Sequence, residues 1–161
     1  MGLDTAQFVE LVYETLDAFK DVMPNPPVAQ HLVVETLAHE SDGFTCLKQV
    51  GGPALGMCQM ELPTWNDLWF RFLQANHVKF ADLLSKLRVE CAYGEFPKFQ
   101  DLRWNIRLAI AMCRLKYFSH PAPLPDDTLE ARAAYWGYVY QTTRDPAKIA
   151  LYMAHAKEME G

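Results

Sequence analysis

The chain has 161 residues, half of them hydrophobic, with a formal net charge of -5 and a pI near 5.5. That apolar share is ordinary for one globular domain with one core and too high for a disordered chain. The acidic balance argues against dedicated nucleic-acid binding, which relies on concentrated Lys and Arg, whereas the basic residues here are scattered from Lys79 and Lys86 through Arg103, Arg107, Arg114 and Lys116.

No stretch is long and apolar enough to span a bilayer. The start, Met1-Gly2-Leu3-Asp4-Thr5, lacks the basic and apolar regions of a secretion signal, and Ala6 stands where myristoylation needs Ser or Thr. The expectation is a protein made in a cytoplasm and not exported by the general route. Cys46, Cys58, Cys91 and Cys113 form no C-x-x-C pair, so four reduced thiols packed as small apolar groups are expected, with a Cys46–Cys58 bridge the lesser alternative.

In chain order the pattern is helical almost throughout, predicting a mainly α fold over residues 1–161. Asp4 caps a first helix with Phe8, Leu11, Val12, Leu16 and Phe19 on its apolar face, and Met23-Pro24-Asn25-Pro26-Pro27 stops it. A second helix runs to about Ser41, with Val28, Leu32, Val33 and Leu37 inward and Asp42-Gly43 as its end. A loop from Phe44 to Ala54 leads to a short helix over Leu55–Met60, and Thr64 is placed to cap a helix from Trp65 to Ala75. Further helices are expected over Phe80–Tyr93, Asp101–Phe118, Leu129–Gln141 and Pro146–Met159, with Gly94–Pro97 and the Pro-rich Ser119–Asp127 as connectors.

Glu40 draws attention first. It follows Leu37 by three residues, so it projects near the apolar face, and it ends its helix, where the backbone dipole disfavours a carboxylate. Burial adds to both effects, and a protonated carboxyl facing a cleft is what protonation of a glycosidic oxygen requires. Fifteen residues after Glu40-Ser41 come Gly56-Met57-Cys58-Gln59-Met60 and then Pro63-Thr64. Gly56 permits close backbone approach to a ligand, and Gln59 offers amide groups for sugar hydroxyl or acetamido recognition.

That order of segments resembles the transglycosylase SLT domain, a branch of the goose-type lysozyme-like superfamily. The family carries Glu-Ser at a helix end, a Gly-Leu-Met-Gln-like segment in the next loop and a Pro-x-Thr-type turn. Asn105-Ile106 is similar to its start of a long helix behind the site. Its closing helix carries Ala-Tyr-Asn, whose Tyr orients the catalytic Glu. Here the nearest runs are Ala134-Tyr135-Trp136 and Tyr138-Val139-Tyr140-Gln141-Thr142, with Trp136 or Gln141 in place of Asn; Tyr140-Gln141 is the favoured match. The resemblance covers roughly residues 28–142.

The resemblance implies a lysozyme-like domain that cleaves the MurNAc–GlcNAc bond of peptidoglycan, with Glu40 catalytic and Ser41, Gly56, Met57, Gln59, Glu61, Tyr138, Tyr140 and Gln141 as substrate contacts. It implies a phage-encoded, virion-borne enzyme that acts on the periplasmic wall, with glycan strands and other virion proteins as partners and no cofactor. Lytic transglycosylases need one carboxylate, whereas hydrolytic glycosidases normally need two; Asp42, Glu61 and Asp67 are the candidate second carboxylates. His31 and His39 read as helix side chains, and His77, His120 and His155 have no metal-type spacing. The alternatives are a muramidase-type hydrolase and a non-catalytic virion protein, a tail hub, plug or adaptor, with a lysozyme-like fold.

Overall fold

The structure, a computed structural model, describes residues 4–160; the expectations about Met1–Leu3 lie outside these residues. It is mainly helical. Helices α1 (Thr5–Ala18), α2 (Pro27–Glu40), α3 (Leu62–Asn66), α4 (Ala81–Ala92), α5 (Ile106–Ser119), α6 (Leu129–Tyr135) and α7 (Pro146–Glu160) are joined by two π-helical segments, Asp67–Gln74 and Trp136–Tyr140, and a 3₁₀ turn, Phe99–Arg103.

Helix α5 is the axis. Leu108 to Cys113 and Leu115 are 0% exposed, and a helix that is apolar all round belongs inside a protein. Helices α1, α2 and α4 pack directly on it, and α7 covers the outer side of α2. Asn105 starts α5 by accepting the Leu108 N–H through its side chain at 3.0 Å, and the same side chain donates to the Cys91 carbonyl at the end of α4. Asp4 caps α1 in the same way, its carboxylate accepting the Gln7 N–H at 3.0 Å.

Three expected boundaries move. Leu55–Met60 is no helix: Leu55 pairs in single antiparallel bridges with Lys48 and Met60, which folds the loop back on itself. Helix α3 begins after Glu61, because Pro63 suits a first turn and Thr64 already lies inside it. The stretch expected as one helix over Asp101–Phe118 divides at Trp104-Asn105 into the 3₁₀ turn and α5. All four cysteines are free thiols, three of them buried, and burial pushes Cys58 and Cys91 up to about 12.

A buried ionic cluster closes the far side of α2. The Arg132 guanidinium donates to both Glu35 carboxylate oxygens, at 3.0 and 2.6 Å, and to Asp127 at 2.6 Å. The Tyr152 hydroxyl donates to the second Glu35 oxygen at 3.1 Å, and His31 meets Asp127 at 2.9 Å. Asp127 joins the preceding connector to α2 and α6, and α2, α6 and α7 are tied together through the Glu35 carboxylate. Arg132→Met strands that carboxylate in the interior and should lower unfolding free energy by about 3–5 kcal/mol. Adding Glu35→Met should recover most of the loss, as read by denaturant unfolding of both variants.

Candidate active site

Helix α2 stops at Glu40 because the next residues consume its last carbonyls. The Ser41 hydroxyl donates to the Leu37 carbonyl at 2.6 Å and accepts the Phe44 N–H at 2.9 Å. The Gly43 N–H reaches back to Ala38 at 2.8 Å, with Gly43 left-handed at φ 66°. Ser41 is thus 0% exposed and engaged with backbone: it shapes the helix end, and its side chain is closed off from the surface where a substrate contact was expected.

That stop leaves the Glu40 side chain half-buried against the second π segment. The Trp136 indole N–H donates to Glu40 Oε1 at 3.2 Å, and the Gln141 amide donates to the same oxygen at 2.7 Å. Burial raises the carboxyl above its ordinary value of 4.5, opposed by the Gln141 and Trp136 hydrogen bonds and by the Lys116 ammonium. Burial likewise lowers Lys116, against the pull of Glu40. Desolvation wins in both groups, so each is held toward its neutral form. His39, next to Glu40, is driven down to about 4 by burial and then by His155, whose Nδ1 lies 2.9 Å from its own. Its neutral ring packs edge-on to Trp136 at 4.8 Å, which fixes the indole that holds Glu40.

The Gly56–Met60 loop joins the same assembly through Tyr140. The Tyr140 hydroxyl donates to the Cys58 carbonyl at 2.6 Å, and its ring lies under the Lys116 ammonium at 4.0 Å. Lys116 also donates to the Tyr140 carbonyl at 2.6 Å. Gly56 is required here: at φ 74°, a Cβ would stand 2.6 Å from the Leu102 carbonyl. Its close approach is to the 3₁₀ turn and not to a ligand. Met57 is 2% exposed within the core, so it packs where a substrate contact was expected. The Gln59 amide donates to the Gly56 carbonyl at 2.9 Å, which braces the loop. Glu61 and Gln141 are exposed, and Tyr138 is about half exposed, edge-on to His120 at 5.3 Å. Asp42 is exposed beyond the helix end, and Asp67 pairs with Arg71 at 2.9 Å.

A cavity of about 410 Å³ opens beside this assembly, lined by Thr64, Asp67 and Leu68 from one segment, Val139, Tyr140 and Thr142 from another, and Lys116 and His120 from α5 and its end. Both π segments border it, and such segments are frequent at functional sites. Glu40 does not line this cavity; Gln141, between the lining residues Tyr140 and Thr142, connects the two. Backbone strain gathers in the same place. Five non-glycine described residues have left-handed φ, and four of them, Asp42, Phe44, Gln59 and Thr142, lie in the segments that meet at Glu40. For a β-branched residue such as Thr142, that conformation is an outlier held in place by its surroundings.

The structure therefore joins Glu40, the Gly56–Met60 loop, Tyr140 and Gln141. It gives no tyrosine hydroxyl to Glu40: Trp136 and Gln141 take that place. Sequence reasoning missed Trp136 as a partner of Glu40, and missed Lys116 and His120 altogether. The signal for Lys116 was a charged residue inside the most apolar helix of the chain.

The sign of the Glu40 shift makes a stability prediction. A carboxyl whose folded pKa is raised favours folding while protonated, and that contribution is lost as pH rises through the folded value. Glu40→Gln should therefore gain melting temperature over the wild type as pH rises above 4.5, with a constant difference below it; thermal melts across pH 3–8 read this directly. No family model, no curated protein and no solved structure matches this chain.

Proposed function

We propose that the protein is a peptidoglycan lytic transglycosylase that cleaves the MurNAc–GlcNAc glycosidic bond, with Glu40 as its acid and then its base. The observation that carries this reading is the Glu40 carboxyl itself: it ends α2, burial holds it toward the protonated form, and two N–H donors from the Trp136–Gln141 segment orient it. The loop of the second motif hangs on the same segment through Tyr140. Protonation of the leaving glycosidic oxygen by Glu40 breaks the bond. The carboxylate so formed accepts the C6 hydroxyl proton as that oxygen closes on the anomeric carbon, giving a 1,6-anhydro end without water. Trp136, Gln141 and Lys116 stabilise the carboxylate between the two steps. Because the protonated form starts the reaction, rate falls as pH rises through the Glu40 pKa.

The lysozyme-like character of the helical fold, and a virion-borne role in local degradation of the periplasmic wall, belong to this same reading and rest on the motif resemblance. A second reading, a structural virion protein of this fold, is favoured by two observations: the cavity is not lined by Glu40, and the Gln59 amide donates within its own loop.

Purified sacculi digested with the protein and analysed by mass spectrometry separate these readings. The expected products carry anhydro ends, and Glu40→Gln lowers their release by about 10²–10⁴-fold. Reducing ends would make the protein a muramidase, absence of any release would favour the structural role, and release undiminished in Glu40→Gln would exclude Glu40.

A further inference from the structure

The cavity beside Glu40 is lined by a charge that has no ion-pair partner at contact distance, although it acts on Glu40 from further away. Lys116 is half-buried in the lining, with one N–H spent on the Tyr140 carbonyl and its charge over the Tyr140 ring. An ammonium has three donors, and among the described residues no carboxylate lies within ion-pair distance, 4.0 Å, of this one. Asp67, also in the lining, is committed to Arg71. Glu40 and Glu61 act on Lys116 from beyond that distance.

A second donor belongs to a residue that lines the same cavity. The His120 Nδ1 accepts the Ala122 N–H at 3.1 Å, so in the neutral ring the hydrogen sits on Nε2, which has no partner among the described residues' hydrogen bonds. The Thr64 side chain adds a hydroxyl to the lining, whereas the Thr142 hydroxyl donates to the Gln141 carbonyl at 2.7 Å. A partly desolvated cation, an imidazole N–H and a hydroxyl around a pocket of about 410 Å³ suit a carboxylate on a small polar chain.

We propose that this cavity is a carboxylate subsite, with Lys116 as its charge and His120 as its second donor, that takes a peptide-stem carboxylate of the glycan strand. The inference rests on the proposed glycan substrate, whose stems supply carboxylates next to the scissile bond. It would make the protein prefer stem-bearing strands over stripped ones.

The test is binding, so that it does not depend on turnover. N-acetylmuramoyl-L-alanyl-D-glutamic acid and its diamide are titrated calorimetrically into wild type, Lys116→Gln and His120→Ala. The glutamine keeps a donor for the Tyr140 carbonyl while removing the charge, and His120→Ala removes the second donor along with the acceptor of the Ala122 N–H. The acid should bind wild type at least about tenfold more tightly than the diamide. That preference should fall to about one in Lys116→Gln and by about two- to threefold in His120→Ala. Equal binding of acid and diamide by wild type, or a preference that survives in a folded Lys116→Gln, overturns the subsite. A preference seen in a protein that releases nothing from sacculi supports the subsite while the cleavage reading fails. Loss of cleavage in Glu40→Gln without any acid preference has the converse meaning.

Discussion

A carboxyl group at the end of α2, partly withdrawn from water and gripped by two N–H donors from 96 and 101 residues further along the chain, organises everything around it. Its position requires the helix to stop at Glu40, which requires the Ser41 hydroxyl to turn inward and Asp42, Gly43 and Phe44 to adopt left-handed backbone. Its donors require the π segment from Trp136 to Tyr140, which swings Trp136 into the interior while leaving Gln141 at the surface. The same segment holds the Gly56–Met60 loop by one hydrogen bond from Tyr140.

The opposing pulls on Glu40 define what it can do. Water exclusion alone would leave a carboxyl that never releases its proton usefully. The Gln141 and Trp136 bonds and the Lys116 ammonium lower the penalty of the ionised form, so the group can give up a proton and take one back. Around it, His39 is neutral at ordinary pH, and burial lowers Lys116 from its ordinary value. The left-handed backbone at Gln59 and Thr142 is a local cost that the surrounding contacts hold in place.

Much of the architecture was legible in the residues. The apolar spacing of α1, the prolines before α2, the Asp42-Gly43 stop and Asn105 before α5 all act locally, and the structure places these helices where the pattern predicts. Local rules failed where tertiary contacts decide. Leu55–Met60 looks helical by composition but is pinned by bridges to Lys48 and Met60. Ser41, Gly56 and Met57 looked like ligand contacts because they flank Glu40 in a motif, yet each is spent on backbone or core. Trp136 could not be read as a partner of Glu40, because only the π turn, an effect of packing against α5 and α7, aims its indole at α2.

Glu40 is thus the point on which the fold of the site converges and on which the proposed chemistry rests. The most direct test is a side-chain carboxyl titration of Glu40 by carbon NMR, assigned with Glu40→Gln. A midpoint above 4.5, moving higher still when Gln141 is replaced by Ala, is the result this account predicts. A midpoint at or below 4.5 would contradict it, since the carboxyl would then be an ordinary ionised helix-end residue with no proton to donate.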